Sequence, residues 1–272
     1  MMDTPEIIEF TPADLEDLRL AKRKLESPSL TAELSSLLGQ PVEAGFRLLP
    51  KHLSGRIQTI TQTALLRAMD MATRTLHQDG KASARPAARP TLHKWLSAGS
   101  GAAGGALGLW ALSVELPIST TLILRSIADI ARSEGHDLNR LDVRLACLEV
   151  FALGGTTPLD NSAESGYWLV RASLAKAMSD AAAYVAQRGL VAEGAPPLVR
   201  LAAAIASRFS VNVSAQAAAK ALPLVSAVTG AAVNVLFMNH FQEMARGHFI
   251  IKRLEQKYGA EAVRAQYDAL VV

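Results

Sequence analysis

The apolar stretch from Ala98 to Leu124 is the feature that most constrains the fold of this chain. It exceeds the roughly 20 residues that a helix needs to cross a bilayer, but it carries Glu115, Pro117 and five glycines. Its leucine, isoleucine and valine residues favour insertion by roughly 4 kcal/mol, and a central acid opposes insertion by about 3 kcal/mol. The stretch therefore predicts a helix that is buried in a protein core or at a membrane, and leaves the two alternatives open.

A second uncharged run, Ala221 to Gln242, has the same marginal character because it contains Pro223, Asn234 and His240. No stretch alternates between polar and apolar residues for long enough to predict a sheet. We therefore expect an all-α protein, a multi-helix bundle with two long apolar central helices. Partial embedding of these helices in a membrane is one of the alternatives.

Residues typical of helix starts and helix ends divide the rest of the chain into segments. The sequence Thr11-Pro12-Ala13-Asp14 has the features of a helix N-terminus, and Pro28 ends the helix that it opens. Residues 81–94 read as a basic, proline-containing linker between an N-terminal helical segment, 1–80, and a main apolar core, 95–272. Further helices are expected at residues 30–38, after Pro50, and at 141–153, 167–188 and 197–209.

Composition excludes several classes of function. A net charge of +3 is too small for a typical nucleic-acid surface, so we expect no nucleic-acid partner. The single cysteine, Cys147, forms no internal disulfide and fits a reducing compartment. The acidic N-terminus lacks the basic and apolar regions of a signal peptide. These features favour the cytoplasm, at the inner face of the cell membrane.

Two acids, Glu115 and Glu149, each stand alone in an apolar run. A buried carboxylate needs a partner or a raised pKa, and Arg125 and Asn234 are the groups we expect to meet these acids. One interpretation is a structural ion pair that fixes helix register. The other is a ligand-binding site formed by Glu115, Arg125, Glu149 and Asn234, in which Arg125 grips an anionic head group. If the protein is an enzyme, Glu115 or Glu149 is its proton acceptor.

No metal or cofactor site is predicted. His240 and His248 lie about 12 Å apart along a helix, too far to share one ion, so we expect them to be core histidines. The motifs of zinc proteases, nucleotide-binding loops and serine hydrolases are absent from the sequence. The helix after Arg246 has basic residues on one flank and apolar residues on another. Both a membrane surface and an ordinary solvated helix with its apolar side in the core fit this pattern, and the uncharged run before it favours the membrane.

Several segments together resemble the EcsC protein family. They are Glu115-Leu116-Pro117, the run from Leu148 to Gly155, and the triplet Asn239-His240-Phe241. The resemblance extends over about residues 15–259 as one unit. It implies no established catalytic activity, and it implies an association with ABC transport components, because the family takes its name from a neighbour of ABC transporter genes.

The expected function is therefore that of a membrane-associated helical accessory protein or a lipid- or amphiphile-binding protein, with a membrane surface or lipid as partner. Two alternatives remain open from the sequence. One is a lipid-directed hydrolase that uses Glu115 or Glu149 with Arg125. The other is a purely structural partner of a transporter. An enzymatic activity is the less favoured of these interpretations, and the sequence specifies no oligomeric state.

Overall fold

A computed structural model describes residues 9–49, 53–75, 112–155, 166–188, 195–222 and 227–271. These residues form ten α-helices and no strand, which confirms the predicted all-α fold. The helices are α1 (Pro12–Leu25), α2 (Leu30–Leu38), α3 (Glu43–Leu48), α4 (Leu53–Thr75), α5 (Leu112–Ser133), α6 (Leu141–Glu149), α7 (Gly166–Arg188), α8 (Pro196–Ala221), α9 (Ala227–Tyr258) and α10 (Ala260–Ala269). A 3₁₀ turn, Val150–Ala152, directly follows α6.

The ends of the first two helices follow from local chemistry. The Thr11 side chain accepts a hydrogen bond from the backbone N–H of Asp14, and Pro12 occupies the first turn, where its missing N–H costs nothing. Ser29 caps α2 in the same way, and Gly39 ends it with a φ of 64°. Both helices therefore begin and end close to the predicted positions.

Helix α8 continues twelve residues beyond its predicted end at Phe209 and finishes at Ala221. The first five residues of the continuation, 210–214, are serine, valine and asparagine, which have low helix propensity, whereas residues 215–221 are strong helix formers. The weak part is nevertheless helical because Asn212 and Val213 are buried in the core, and tertiary packing overrides propensity there. Helices α3 and α10 were not predicted.

Two long helices, α8 and α9, organise the bundle. Helix α9 packs against α1 and α5, and α8 packs against α2, α3, α4 and α7. Four phenylalanines, Phe151, Phe209, Phe237 and Phe241, meet in the core, with ring centroids of Phe151 and Phe209 4.9 Å apart. The helices on both sides of the proposed linker thus share one apolar core. The linker itself, 81–94, lies outside the described residues.

The basic flank of α9 binds α1. Arg253 donates to Asp17 at 2.8 Å, and Lys257 and Tyr258 both donate to Asp14 at 2.6 Å. The apolar residues of the same segment, such as Phe249 and Leu254, are fully buried. The alternative in which this segment lies on a membrane is therefore wrong, because its apolar face packs in the core and two of its cations, Arg253 and Lys257, pair with acids of α1.

One helix among the described residues, α8, is long and apolar enough to cross a membrane, which is weak evidence for embedding because 44% of its apolar window is buried inside the protein. It lies almost entirely outside the two stretches that the sequence singled out. Residues 98–111 of the first stretch and 223–226 of the second are outside the described part of the chain.

Candidate functional site

Glu115 lies in the first turn of α5, buried among polar side chains of α8 and α9. Its Oε1 accepts hydrogen bonds from Lys220 Nζ at 2.5 Å and from Asn234 Nδ2 at 2.7 Å. The Asn234 Oδ1 in turn accepts from Gln216 Nε2 at 2.7 Å. This Glu115 cluster contains the predicted partner Asn234. Lys220 was missed because it lies on the part of α8 that the sequence did not predict to be helical.

Arg125 does not lie beside Glu115. It follows Glu115 by ten residues on α5, which places it about 15 Å farther along the helix axis. Arg125 is exposed, whereas Glu115 is buried. The expectation that these two side chains grip one ligand is therefore wrong for this geometry, and the cation that meets Glu115 is Lys220.

Glu149 belongs to a second group, at the end of α6. His248 Nε2 lies 3.6 Å from Glu149 Oε2, and His248 Nδ1 lies 3.1 Å from the Tyr167 hydroxyl. Arg171 donates to that hydroxyl at 3.3 Å, and its guanidinium forms two hydrogen bonds with Glu255, at 2.6 and 3.1 Å. These five residues form the Glu149 cluster.

The two clusters are separate sites. Asn234 and His248, which mark them on α9, are fourteen residues apart, or about 21 Å along the helix. Glu115 and Glu149 therefore do not act on one ligand, and the predicted four-residue binding site divides into two. Tyr167 and Arg171 were missed because they lie on the alanine-rich α7, which carries no recognisable motif in the sequence.

Burial dominates the electrostatics of the Glu149 cluster. It raises the pKa of Glu149 against the opposing positive charges of Lys252 and Arg171. It also lowers the pKa of His248 well below its usual range and raises the pKa of Tyr167 well above its own. Each effect favours the uncharged form of its group. The arrangement is a row of three neutral groups in which Tyr167 and His248 are hydrogen-bonded and Glu149 lies 3.6 Å from His248, flanked by the Arg171–Glu255 ion pair.

His240 lies against the turn that follows the 3₁₀ segment. A Cβ on Gly154 would come 2.3 Å from His240 Nε2, and Gly154 has a φ of 69°, so both space and backbone conformation require glycine here. Burial lowers the pKa of His240 to about 4. Two of the segments that carry the family resemblance, Leu148–Gly155 and Asn239–Phe241, thus pack directly on each other. His240 and His248 are both buried, as predicted.

Cys147 is fully buried, and burial raises the pKa of its thiol to about 12. A thiol with such a pKa is not a nucleophile at neutral pH. Its role is packing in α6.

Two recesses flank the Glu149 cluster. A cavity of about 130 Å³ lies between the α1–α2 loop, the turn at Gly154 and the start of α7, and Tyr167 lines it. A polar cleft of about 230 Å³ lies beside the start of α6 and the end of α9. Its lining residues are His136, Arg140, Asp142, Val143, Lys252, Glu255 and Gln256.

Exposed apolar side chains gather where α8 ends. Leu37, Phe46, Leu48 and Ile118 are 39 to 53% exposed and, with Val271, are the large exposed apolar residues of the described chain. Helix α3 is held against α8 so closely that a Cβ on Gly45 would lie 2.1 Å from the Ala218 carbonyl oxygen. Val42 N–H donates to Ser35, which joins α3 to α2.

Ile118 belongs to the same end because Glu115, three residues earlier on α5, bonds Lys220 in the last turn of α8. We call the surface formed by Leu37, Phe46, Leu48 and Ile118 the apolar end. Arg47 and Arg56 are exposed beside it, and neither forms an ion pair with another described residue.

No curated protein and no solved structure matches the chain. The sequence model of the EcsC protein family matches residues 13–254, which include the Glu115 cluster, the Glu149 cluster except Glu255, and most of the described helices. This match covers far more than half of the chain and agrees with the resemblance found in its motifs. The chain therefore belongs to the EcsC protein family.

Proposed function

We propose that this protein is a peripheral membrane protein that docks on anionic lipid through its apolar end. The observation that carries this proposal is that four of the five large exposed apolar residues of the described chain lie on segments tied to the end of α8 or to each other. Phe46 and Leu48 follow Gly45, which packs on Ala218; Leu37 is on α2, which is bonded to the start of α3; and Ile118 is three residues from Glu115, which bonds Lys220. Exposed apolar side chains are ordinary when they are scattered, whereas a contiguous group marks a contact surface.

The charges beside the apolar end support a lipid partner. Arg47 stands between Phe46 and Leu48 in α3, and Arg56 follows in the first turn of α4, whereas Glu43 is the one exposed acid of α3. The exposed charges of α3 and of the first turn of α4 therefore sum to plus one. Bases interleaved with apolar side chains suit the interface of an anionic bilayer, where each contributes about 1 kcal/mol.

The expected affinity is that of a reversible peripheral protein. Four partly exposed apolar side chains gain about 1 kcal/mol each on leaving water, so the surface supplies about 4 kcal/mol before the charges are counted. The net charge of plus one adds about 1 kcal/mol and brings the sum to about 5 kcal/mol, which is comparable with a single acyl anchor. The cavity beside Tyr167 is about the size of one benzene ring, so it does not hold a whole lipid, and we assign lipid contact to the surface.

The accessory role follows from this docking. A protein held at the inner face of the membrane lies at the same surface as the transporter components with which the family is associated. Family membership supports a transporter component as the partner. The inner face is supported because the cytoplasmic leaflet of the membrane carries anionic lipids.

Co-sedimentation with vesicles tests the proposal. The wild-type chain is mixed with vesicles of phosphatidylcholine containing phosphatidylglycerol, and the double variant Phe46→Ser/Leu48→Ser is compared with the control Val271→Ser. We expect the double variant to lose about thirtyfold in vesicle affinity, since two apolar contacts of about 1 kcal/mol each are removed. The control removes an exposed apolar residue outside the apolar end and is expected to bind like the wild type.

Equal binding by the double variant and the control would refute docking through the apolar end. Salt provides an independent check, because screening weakens contacts between exposed charges. Raising the salt concentration is expected to weaken wild-type binding and to have less effect on an Arg47→Ser/Arg56→Ser variant.

A further inference from the structure

The polar cleft lies far from the apolar end. Lys252, in its wall, follows Asn234 of the Glu115 cluster by eighteen residues on α9, or about 27 Å along the helix. When the apolar end faces a bilayer, the cleft therefore opens toward water. Its contents come from solution, and not from the lipid on which the protein docks.

One charged side chain of the cleft lining, Lys252, has no bonded partner of opposite charge among the described residues. Arg140 donates to both oxygens of Asp142, at 3.1 and 2.9 Å, and Glu255 is held by Arg171. Lys252 forms no hydrogen bond or ion pair with any described residue. The four charged side chains of the lining sum to zero, and Lys252 is the one among them that holds no partner of opposite charge by a hydrogen bond or ion pair within the described residues.

His136 adds an acceptor to this wall. Its Nε2 lies 2.9 Å from the backbone oxygen of Phe249, and since a carbonyl only accepts, Nε2 carries the proton. Burial, assisted by the positive charges of Lys252 and Arg253, lowers the pKa of His136. The ring is neutral, and its Nδ1 is left with a lone pair.

We infer that the polar cleft binds a small soluble anion through a phosphoryl group, with Lys252 as the principal cation and Arg140 at the rim. A phosphoryl group fits better than a carboxylate because its monoanion has oxygens that accept from Lys252 and a hydroxyl that donates to His136 Nδ1. The volume of about 230 Å³ accommodates a phosphate together with a short substituent. The membrane-docking proposal assigns this cleft no role.

Titration with inorganic phosphate tests the inference. Binding is measured by calorimetry at constant ionic strength, with chloride as the replacement anion, for the wild-type chain and for Lys252→Met. Methionine keeps an apolar stem without the charge, and a lost charge-assisted contact is expected to weaken phosphate binding about tenfold or more. Lys176→Met is the control, since the side chain of this lysine is 90% exposed on α7 and does not line the cleft.

Phosphate binding by the wild type that Lys252→Met weakens and Lys176→Met does not is the expected result. Phosphate binding that chloride matches, or that both variants retain equally, overturns the inference. Lys252 is partly exposed and has no ion pair among the described residues, so we expect an unchanged melting temperature in chloride. Arg140→Gln serves as a second variant with a smaller expected loss, of a few fold.

Vesicles containing phosphatidic acid separate a soluble ligand from a lipid head group. If Lys252→Met loses binding to these vesicles while inorganic phosphate fails to bind the wild type, the cleft takes a head group and the inference of a soluble ligand is overturned. The Phe46→Ser/Leu48→Ser variant should bind phosphate normally. Failure of vesicle docking and failure of phosphate binding are thus observed independently.

Discussion

Removing Lys220 should expose the energetic cost of burying Glu115. In the Lys220→Met variant the carboxylate keeps the hydrogen bond from Asn234 at 2.7 Å and loses its only described cation, which lies 2.5 Å away. Breaking a buried pair by removing one partner costs about 3 to 5 kcal/mol. Because Glu115 retains one donor and 8% of its side chain is exposed, we expect a loss of about 3 kcal/mol, near the lower limit.

The companion variants separate a lost partner from lost packing. Glu115→Gln leaves Lys220 without its carboxylate, but burial lowers the pKa of this lysine, so the loss of its charge costs less than it would in an exposed lysine. We expect this change to cost about 1 to 2 kcal/mol. The double variant Glu115→Leu/Lys220→Met removes both charges and should be more stable than Lys220→Met alone.

Urea unfolding at neutral pH, followed by circular dichroism, measures these differences in the free energy of unfolding. A Lys220→Met variant that unfolds within about 0.5 kcal/mol of the wild type would refute the reasoning, because that is the range of ordinary surface substitutions. A double variant less stable than Lys220→Met would show that the pair contributes more than mutual neutralisation.

Two other substitutions test the surroundings of the Glu149 cluster. The raised pKa of Glu149 means that the folded state holds a proton more tightly than the unfolded state, so stability falls as the pH rises from 4.5 to the pKa of the folded state. Glu149→Gln should flatten this part of a plot of melting temperature against pH, and an unchanged slope would contradict the assignment. Gly154→Ala should cost at least about 3 kcal/mol, because the new methyl group meets His240 and the left-handed backbone is strained, whereas Gly39→Ala, with a φ of 64° and open space, should cost about 1 kcal/mol.

Periodicity and capping residues predicted the fold well where local chemistry decides it. Thr11, Pro12 and Gly39 set helix ends through contacts within a few residues, and such signals are legible in the sequence. The end of α8 could not be predicted from such local signals, because buried Asn212 and Val213 are held in the helix by distant parts of the chain. Tertiary packing has no local signature.

The candidate sites were predicted in part for the same reason. An isolated acid in an apolar run indicates burial, and both Glu115 and Glu149 are buried. Which groups contact these acids depends on how the helices pack. The observed neighbours are Lys220 and His248, and not the predicted Arg125. The burial of Glu115 is compensated by a cation, and Glu149 instead has a raised pKa. Both outcomes were expected for a buried acid, but the sequence did not indicate which acid would have which.

Helix α9 has a mechanical consequence for the whole molecule. Its 32 residues contain no proline and form an unbroken rod about 48 Å long, with Asn234 toward one extremity and Lys252 toward the other. Gly247 lies where this rod meets α1, and a Cβ there would come 2.6 Å from Leu25 Cγ and 3.0 Å from the Ala21 carbonyl oxygen. Any larger residue at this position would therefore push α1 away from the helix to which Arg253 and Lys257 bind it.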